Sequence, residues 1–254
     1  MAQSKIIKVF EKGPHANTSS VIYTRDPDGV FRFALCGKLF AKSRKPLDSN
    51  KANTGPAGTD LKYAGKWGFF GGKKNKGRRS PKHDLEASVN EIRDEANIPS
   101  LKSTSVSVSW MARSPCGPQT LNLLKACEIN PSTAGFIYFI QDSNYFFSLF
   151  PQWPNTRGGA DIVTSSCGEI DLVSSFSMEQ LSSLQQTEIA GDNNNFVISY
   201  CANSLNKIVI PFISEKSDEF KRKWANGIQV VSDTAPRQCN LQSLYTEIKP
   251  GVYV

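Results

Sequence analysis

Between residues 65 and 98 the chain reads GKWGFFGGKKNKGRRSPKHDLEASVNEIRDEANI: an aromatic strand-like run, a double glycine, a basic loop and an acidic amphipathic helix, in that order. No other stretch restricts the fold as much. Successive residues of an α-helix are offset by about 100°, so Leu85, Val89, Ile92 and Ala96 share one apolar face by their i, i+4, i+7, i+11 spacing. Glu91, Asp94 and Glu95 cluster beside that face. Like charges at i, i+3 and i+4 cost a helix roughly a few tenths of a kcal/mol per pair, so their grouping calls for a reason. A divalent cation is one; the ordinary one is a solvated face, with Arg93 offsetting some of the repulsion.

The segment before the helix favours the cation. Gly71 and Gly72 end the run from Trp67 to Phe70, and glycine there permits close backbone approach to a ligand. Lys73, Lys74, Lys76, Arg78, Arg79 and Lys82 follow, six of the thirty Lys and Arg residues within ten positions. Cations at that density suit phosphate oxygens. The competing reading is a solvated loop whose lysines touch nothing. Taken together, the stretch has the makings of a metal-assisted phosphate site.

These residues resemble the Nudix box of the Nudix hydrolases. Gly71, Gly72 and Lys73 match its opening, and Asn90 to Ile98 align with its helix, which in the family reads Arg-Glu-aliphatic-X-Glu-Glu-X-Gly-aliphatic. The resemblance implies a Nudix-like αβα sandwich around a mixed β-sheet, with Glu91, Asp94 and Glu95 and the carbonyl of Gly71 as Mg²⁺ ligands. It also implies a distal glutamate shortly before the last helix of the domain, as a further ligand or general base. Glu169 is the candidate, with Asp171 in reserve, and an ordinary turn carboxylate is the alternative. The chain departs from the family at Asn90 for arginine, Asp94 for glutamate, Asn97 for glycine and Phe70 for proline. The family's loop glutamate falls at Lys82, in a loop about four residues longer than the pattern. Asp84, about 20° around the helix from Glu91, is a possible substitute. Asn97 suits a left-handed helix end.

The remaining chain is that of a globular protein. Of 254 residues 39% are hydrophobic and 21% charged, enough to bury a sizeable core. No apolar run approaches the roughly 20 residues that cross a bilayer, and MAQSKIIKVFEKG does not read as a secretory signal. A cytoplasmic location is expected. Cys36, Cys116, Cys127, Cys167, Cys201 and Cys239 contain no CxxC pair, which argues against zinc. A net charge of +7 points to a polyanionic partner, though the same charge can serve solubility alone.

Strand signals fall at Ser20 to Thr24 and Phe31 to Leu39, joined by the turn residues Arg25-Asp26-Pro27-Asp28-Gly29. Ser103 to Met111, Phe136 to Gln141, Tyr145 to Phe150, Phe196 to Tyr200 and Lys207 to Phe212 also read as strands, and Ala41 to Gly65 as a long loop. Pro151 to Asp161 reads as a surface loop in which Trp153 either packs under the chain or stacks a base. Ser177 to Leu184 reads as a helix with a capping box at Ser177 and Gln180, and Ser214 to Trp224 as a basic helix. The expected organisation is a Nudix-like domain over 1–190, with long loops at 40–65 and 73–83, and a C-terminal extension over 191–254 packed on it.

The function implied is a Mg²⁺- or Mn²⁺-dependent pyrophosphohydrolase cutting a diphosphate linkage in a nucleotide derivative. Glu91, Glu95 and Glu169 would be its catalytic carboxylates, and Lys73, Arg78, Arg79 and Trp67 would bind substrate. An RNA 5′ end or cap, a dinucleoside polyphosphate or an inositol pyrophosphate would suit the basic loop, with ADP-ribose and nucleoside triphosphates also open. The alternative is a catalytically silent module that binds nucleotide, RNA or a protein partner, or has a structural role.

Overall fold

The computed structural model describes residues 15–38, 67–74, 83–101, 106–108, 119–158, 168–186, 204–228, 247–249 and 252–253. In chain order these form β1 (Asn17–Arg25), β2 (Phe31–Gly37), β3 (Trp67–Gly68), α1 (Asp84–Glu95), β4 (Val106–Val108), β5 (Leu121–Asn130), β6 (Thr133–Phe139), α2 (Ser143–Leu149), β7 (Arg157–Gly158), β8 (Leu172–Ser177) and α3 (Met178–Gln186). A π-helical turn, Leu205–Val209, then runs into α4 (Ile210–Ser214), followed by α5 (Asp218–Trp224) and the small pair β9 (Glu247–Lys249) and β10 (Val252–Tyr253).

The main sheet has the order β4-β5-β6-β1-β2-β8-β7, with β3 also against β2. It is mixed: β1 runs parallel to β6 and β4 to β5, while β1 with β2 and β2 with β8 are antiparallel. Strand alternation sends side chains to two cores. On one face Ile22, Ala34, Phe136 and Tyr138 pack with Val89, Ile92 and Ala96 of α1 and with Phe146 of α2. On the other, Val21, Phe33, Leu35 and Ile137 pack with Leu181 of α3 and with Leu205, Phe212 and Phe220. Helices on both faces of a mixed sheet make the αβα layering expected. Residues 204–228 therefore supply much of one layer, each fully buried large apolar side chain contributing about 1.5–3 kcal/mol.

The first hairpin forms as expected, its turn closed by Gly29 at φ 82° and by Asp26, which accepts from Val30 N and Arg32. The capping box is present: Ser177 Oγ accepts from Gln180 N, and Gln180 Oε1 from Ser177 N. Two strand expectations are corrected. Tyr145 to Phe150 lies largely in α2, because Asp142 accepts the amides of Asn144 and Tyr145 and starts a helix there. Lys207 to Phe212 is helical, its apolar residues buried against the sheet. Five strands were not anticipated, β5, β8, the two-residue β7 within the expected surface loop, and the small pair β9 and β10. In β8, LVSSFS, the serines hide the strand, yet all six residues are buried, with Ser174 Oγ donating to the carbonyls of Pro151 and Asn155. The expected strand Phe196 to Tyr200 lies outside the described residues, as does the loop Ala41 to Gly65. Among the described residues no helix is long and apolar enough to cross a membrane.

Candidate carboxylate site

The site begins with a fork in the sheet. β1 pairs with β2 only from Ile22 to Arg25; beyond that point the two strands part and residues 67–73 fill the gap. Trp67 and Gly68 pair with Gly37 and Cys36 of β2, while Ser20 N donates to Phe70 O and Thr18 N to Gly72 O on the β1 side. The intervening Gly71 turns its amide the other way, toward α1, and donates to Glu95 Oε2 at 2.8 Å. Gly71 has φ 153°, and a Cβ there would stand 2.2 Å from Thr18 O. At Gly72 a Cβ would stand 2.8 Å from Glu91 Oε2. The double glycine thus brings the backbone against both glutamates.

Helix α1 is held over this fork by a buried hydroxyl chain, Ser20 to Ser88 to Tyr138, each link 2.7 Å. Its far end turns off at Asn97, with φ 50°, the left-handed conformation anticipated for that asparagine. Arg157 donates to the carbonyls of Ala96 and Leu149, satisfying groups at the ends of α1 and α2 together. Asp94 stands on the rim, where Arg93 donates to it at 2.9 Å and to Asn90 Oδ1 at 2.8 Å.

Lys38 follows β2 directly, and its ammonium donates to Glu169 Oε2 at 3.2 Å. The loop carrying Glu169 reaches this position because Asp171 N donates to Gly37 O. Charged side chains from three parts of the chain now influence one another. Burial, then Asp94 and Glu169, against the pull of Arg93 and Lys38, together push Glu91 up to about 7. Burial and then Glu91 hold Glu95 well above the usual carboxylate range, opposed by the Gly71 amide and Lys38. Burial would lower Lys38, yet Glu169, Glu95 and Cys36 raise it overall. Among the described residues the site has crowded carboxyls with Lys38 paired to one of them and Arg93 at the rim.

Glu91, Glu95 and Glu169 are therefore brought together, with Gly71 beside them. Trp67 is a correction: its ring is fully buried, edge-on to Phe176 and Trp153, and presents no face to a substrate. Trp153 stacks on Phe176, the packing alternative rather than the base-stacking one. Lys73 is exposed at the rim, its backbone paired with Asn17. Lys74 is diverted to Asp84, at 2.9 Å, and Asp84 also meets His15 at 2.7 Å. Asp84 is thus engaged by Lys74 and His15. The backup candidate Asp171 is buried. Arg78 and Arg79, like Lys76 and Lys82, lie outside the described residues.

Lys38 was missed from sequence, being one cation among thirty until the end of β2 meets the Glu169 loop. Carboxylate oxygens are hard donors of the kind that Mg²⁺ and Mn²⁺ take. Among the described residues, no three His, Cys, Asp or Glu side chains already form a group that could hold a metal ion.

No protein-family profile matches the chain, and no curated protein matches it. Among solved structures the chain is similar to a mutT/nudix family protein from Listeria innocua, with 11% identity over 79% of this chain and 98% of that one, and a TM-score of 0.36. At that distance, roles for this chain's residues rest on their own geometry.

Proposed function

We propose that this chain is a Nudix-type hydrolase, a Mg²⁺- or Mn²⁺-dependent pyrophosphohydrolase that cuts a diphosphate linkage in a nucleotide derivative. The observation that carries this reading is the convergence of Glu91, Glu95 and Glu169 beside Gly71 and Gly72, with Glu91 and Glu95 raised by burial and by neighbouring carboxylates. When bound, a divalent cation supplies charge neutralisation at the phosphate oxygens. Glu91 and Glu95 would hold it, with the Gly71 carbonyl and Asp94 at the margin. Asp94 contributes only by releasing Arg93. Glu169, at the more open edge, would take a proton from the attacking water. Lys73 at the rim, with Arg78 and Arg79 in the loop beyond, would hold the outer phosphates. The basic loop favours a large polyanion such as an RNA 5′ end or cap.

A second reading has its own observation. Lys38 is paired with Glu169 inside the carboxylate cluster, as in a module that binds nucleotide or RNA without cutting it. Release of phosphate or pyrophosphate, with Mg²⁺ and with Mn²⁺, separates the two. The panel comprises nucleoside triphosphates, ADP-ribose, dinucleoside polyphosphates, an inositol pyrophosphate and capped RNA, with Glu95→Gln as control. Metal-dependent turnover lost in the variant supports the hydrolase; silence from the folded protein across the panel favours the binding module.

A further inference from the structure

We infer that Thr18 and Glu91 hold a buried water between them, and that through it the Thr18 hydroxyl sets the position of the Glu91 carboxyl. This inference does not depend on the hydrolase reading. Among the described residues the buried side-chain polar atoms without a hydrogen-bond partner are Thr18 Oγ1, Ser19 Oγ and Trp67 Nε1, all at the fork in the sheet. Thr18 is only 3% exposed. A buried hydroxyl left unmatched is costly, and ordered water is the usual partner where protein supplies none.

Strand alternation gives the direction of the Thr18 side chain. Ser20 Oγ meets Ser88 of α1, so Thr18, two residues earlier in β1, faces the same helix. Its neighbours across the sheet are Ala134 of β6 on one side and Gly72 on the other, residues that project little or nothing into the space beneath α1. Over Gly72 stands Glu91, whose Oε2 is 2.8 Å from where a Cβ would be. Facing positions on adjacent strands carry their Cβ atoms about 4.5–5.5 Å apart. The hydroxyl and the carboxyl are therefore near the separation that one water spans with two hydrogen bonds of about 2.8 Å each. The two groups are also complementary. Glu95 receives the Gly71 amide, whereas no donor among the described residues reaches the partly buried carboxyl of Glu91. Thr18 has a proton to donate and no acceptor. A water that accepts from Thr18 and donates to Glu91 gives each a partner, and makes Thr18 a positioning residue for that carboxyl.

Crystal structures of the full chain and of two variants test this. Thr18→Val replaces the hydroxyl by a methyl in the same shape, and Thr18→Ser keeps the hydroxyl. The expected result is a water within hydrogen-bond reach of both residue 18 Oγ and Glu91 in the wild type and in Thr18→Ser, absent from Thr18→Val, where Glu91 takes another rotamer. In urea unfolding, Thr18→Val should shift the equilibrium about tenfold toward the unfolded chain, and should have no such effect in a Glu91→Met background, where the carboxyl is gone. A wild-type structure without that water overturns the inference, as does a Thr18→Val variant as stable as the wild type with Glu91 unmoved. Equal loss in both backgrounds overturns the link to Glu91. The structures decide alone if Glu91→Met does not fold.

Discussion

Glu95 accepts a hydrogen bond from the backbone amide of Gly71, 24 residues earlier in the chain, and is as a residue only 7% exposed. The bond fixes the carboxyl where the sheet forks, and a glutamine can accept it equally well. Glu95→Gln is therefore expected to fold with unchanged or slightly higher stability, since it removes a buried charge crowded by Glu91, yet to lose metal-dependent hydrolysis. Glu95→Ala leaves the Gly71 amide without that acceptor and should cost about 1–3 kcal/mol. Urea unfolding with a parallel phosphate-release assay reads both. Full activity in Glu95→Gln would remove Glu95 from the chemistry.

The two glycines should separate stability from function. A Cβ at Gly71 meets the Thr18 carbonyl at 2.2 Å and requires φ 153°, so neither backbone nor substituent can give way cheaply. Gly71→Ala is expected to destabilise the fold by several kcal/mol, on the order of 3. At Gly72 the clash is with the end of the Glu91 side chain, which can rotate. Gly72→Ala should cost roughly 1 kcal/mol or less while moving Glu91. Its signature is near-normal melting with weakened Mn²⁺ binding; equal destabilisation by the two substitutions would contradict this geometry.

The features legible in the sequence were those written locally. The spacing of Leu85, Val89, Ile92 and Ala96, the left-handed Asn97, the Ser177 capping box and the Asp26 turn all depend on residues within a few positions of one another. What escaped depends on contacts made across the chain. Nothing near Lys38 shows that it will meet Glu169, 131 residues later. The same holds for Asp84, whose helical phase relative to Glu91 was read correctly but whose partners, His15 and Lys74, lie elsewhere. β8 was hidden because hydroxyls that bond to the 151–155 segment look polar in sequence. Trp67 beside a double glycine looked like a ligand contact, and only the ring cluster with Trp153 and Phe176 reveals it as core.

The raised carboxyls give the apo protein a definite pH dependence. Glu91 moves from the ordinary glutamate value of 4.5 to about 7, chiefly through burial. Between those values the native state holds more protons than the unfolded chain, so stability falls as pH rises. Below 4.5 both states are protonated and above about 7 both are charged, so this contribution is flat outside the window. The loss is on the order of 3 kcal/mol for Glu91, and Glu91→Gln should flatten the curve. Metal-induced stabilisation should run the opposite way, growing from pH 5 to pH 8 as the carboxyls become free to bind. Melting curves with and without Mn²⁺ test both; a wild-type curve no steeper than that of Glu91→Gln would show that Glu91 does not retain its proton.

Asp84, fully buried, joins the start of α1 to Lys74 at 2.9 Å and to His15 at 2.7 Å, and His15 reaches Glu128 at 3.2 Å. This clasp holds the chain just beyond the double glycine and so fixes the rim position of Lys73. Removing a buried partner usually costs more than the pair contributes, because the remaining charge keeps its desolvation penalty. Asp84→Ala should therefore destabilise by about 3–5 kcal/mol, and Asp84→Asn by less because it retains shape and an acceptor. Lys74→Met leaves Asp84 with His15 and should be the mildest. The double variant Asp84→Asn with Lys74→Met ought to be less damaged than the sum of its parts, with a coupling of about 1–3 kcal/mol in urea unfolding. Strict additivity would mean that Lys74 and Asp84 do not act as a pair, and that the rim of the site is positioned by the sheet alone.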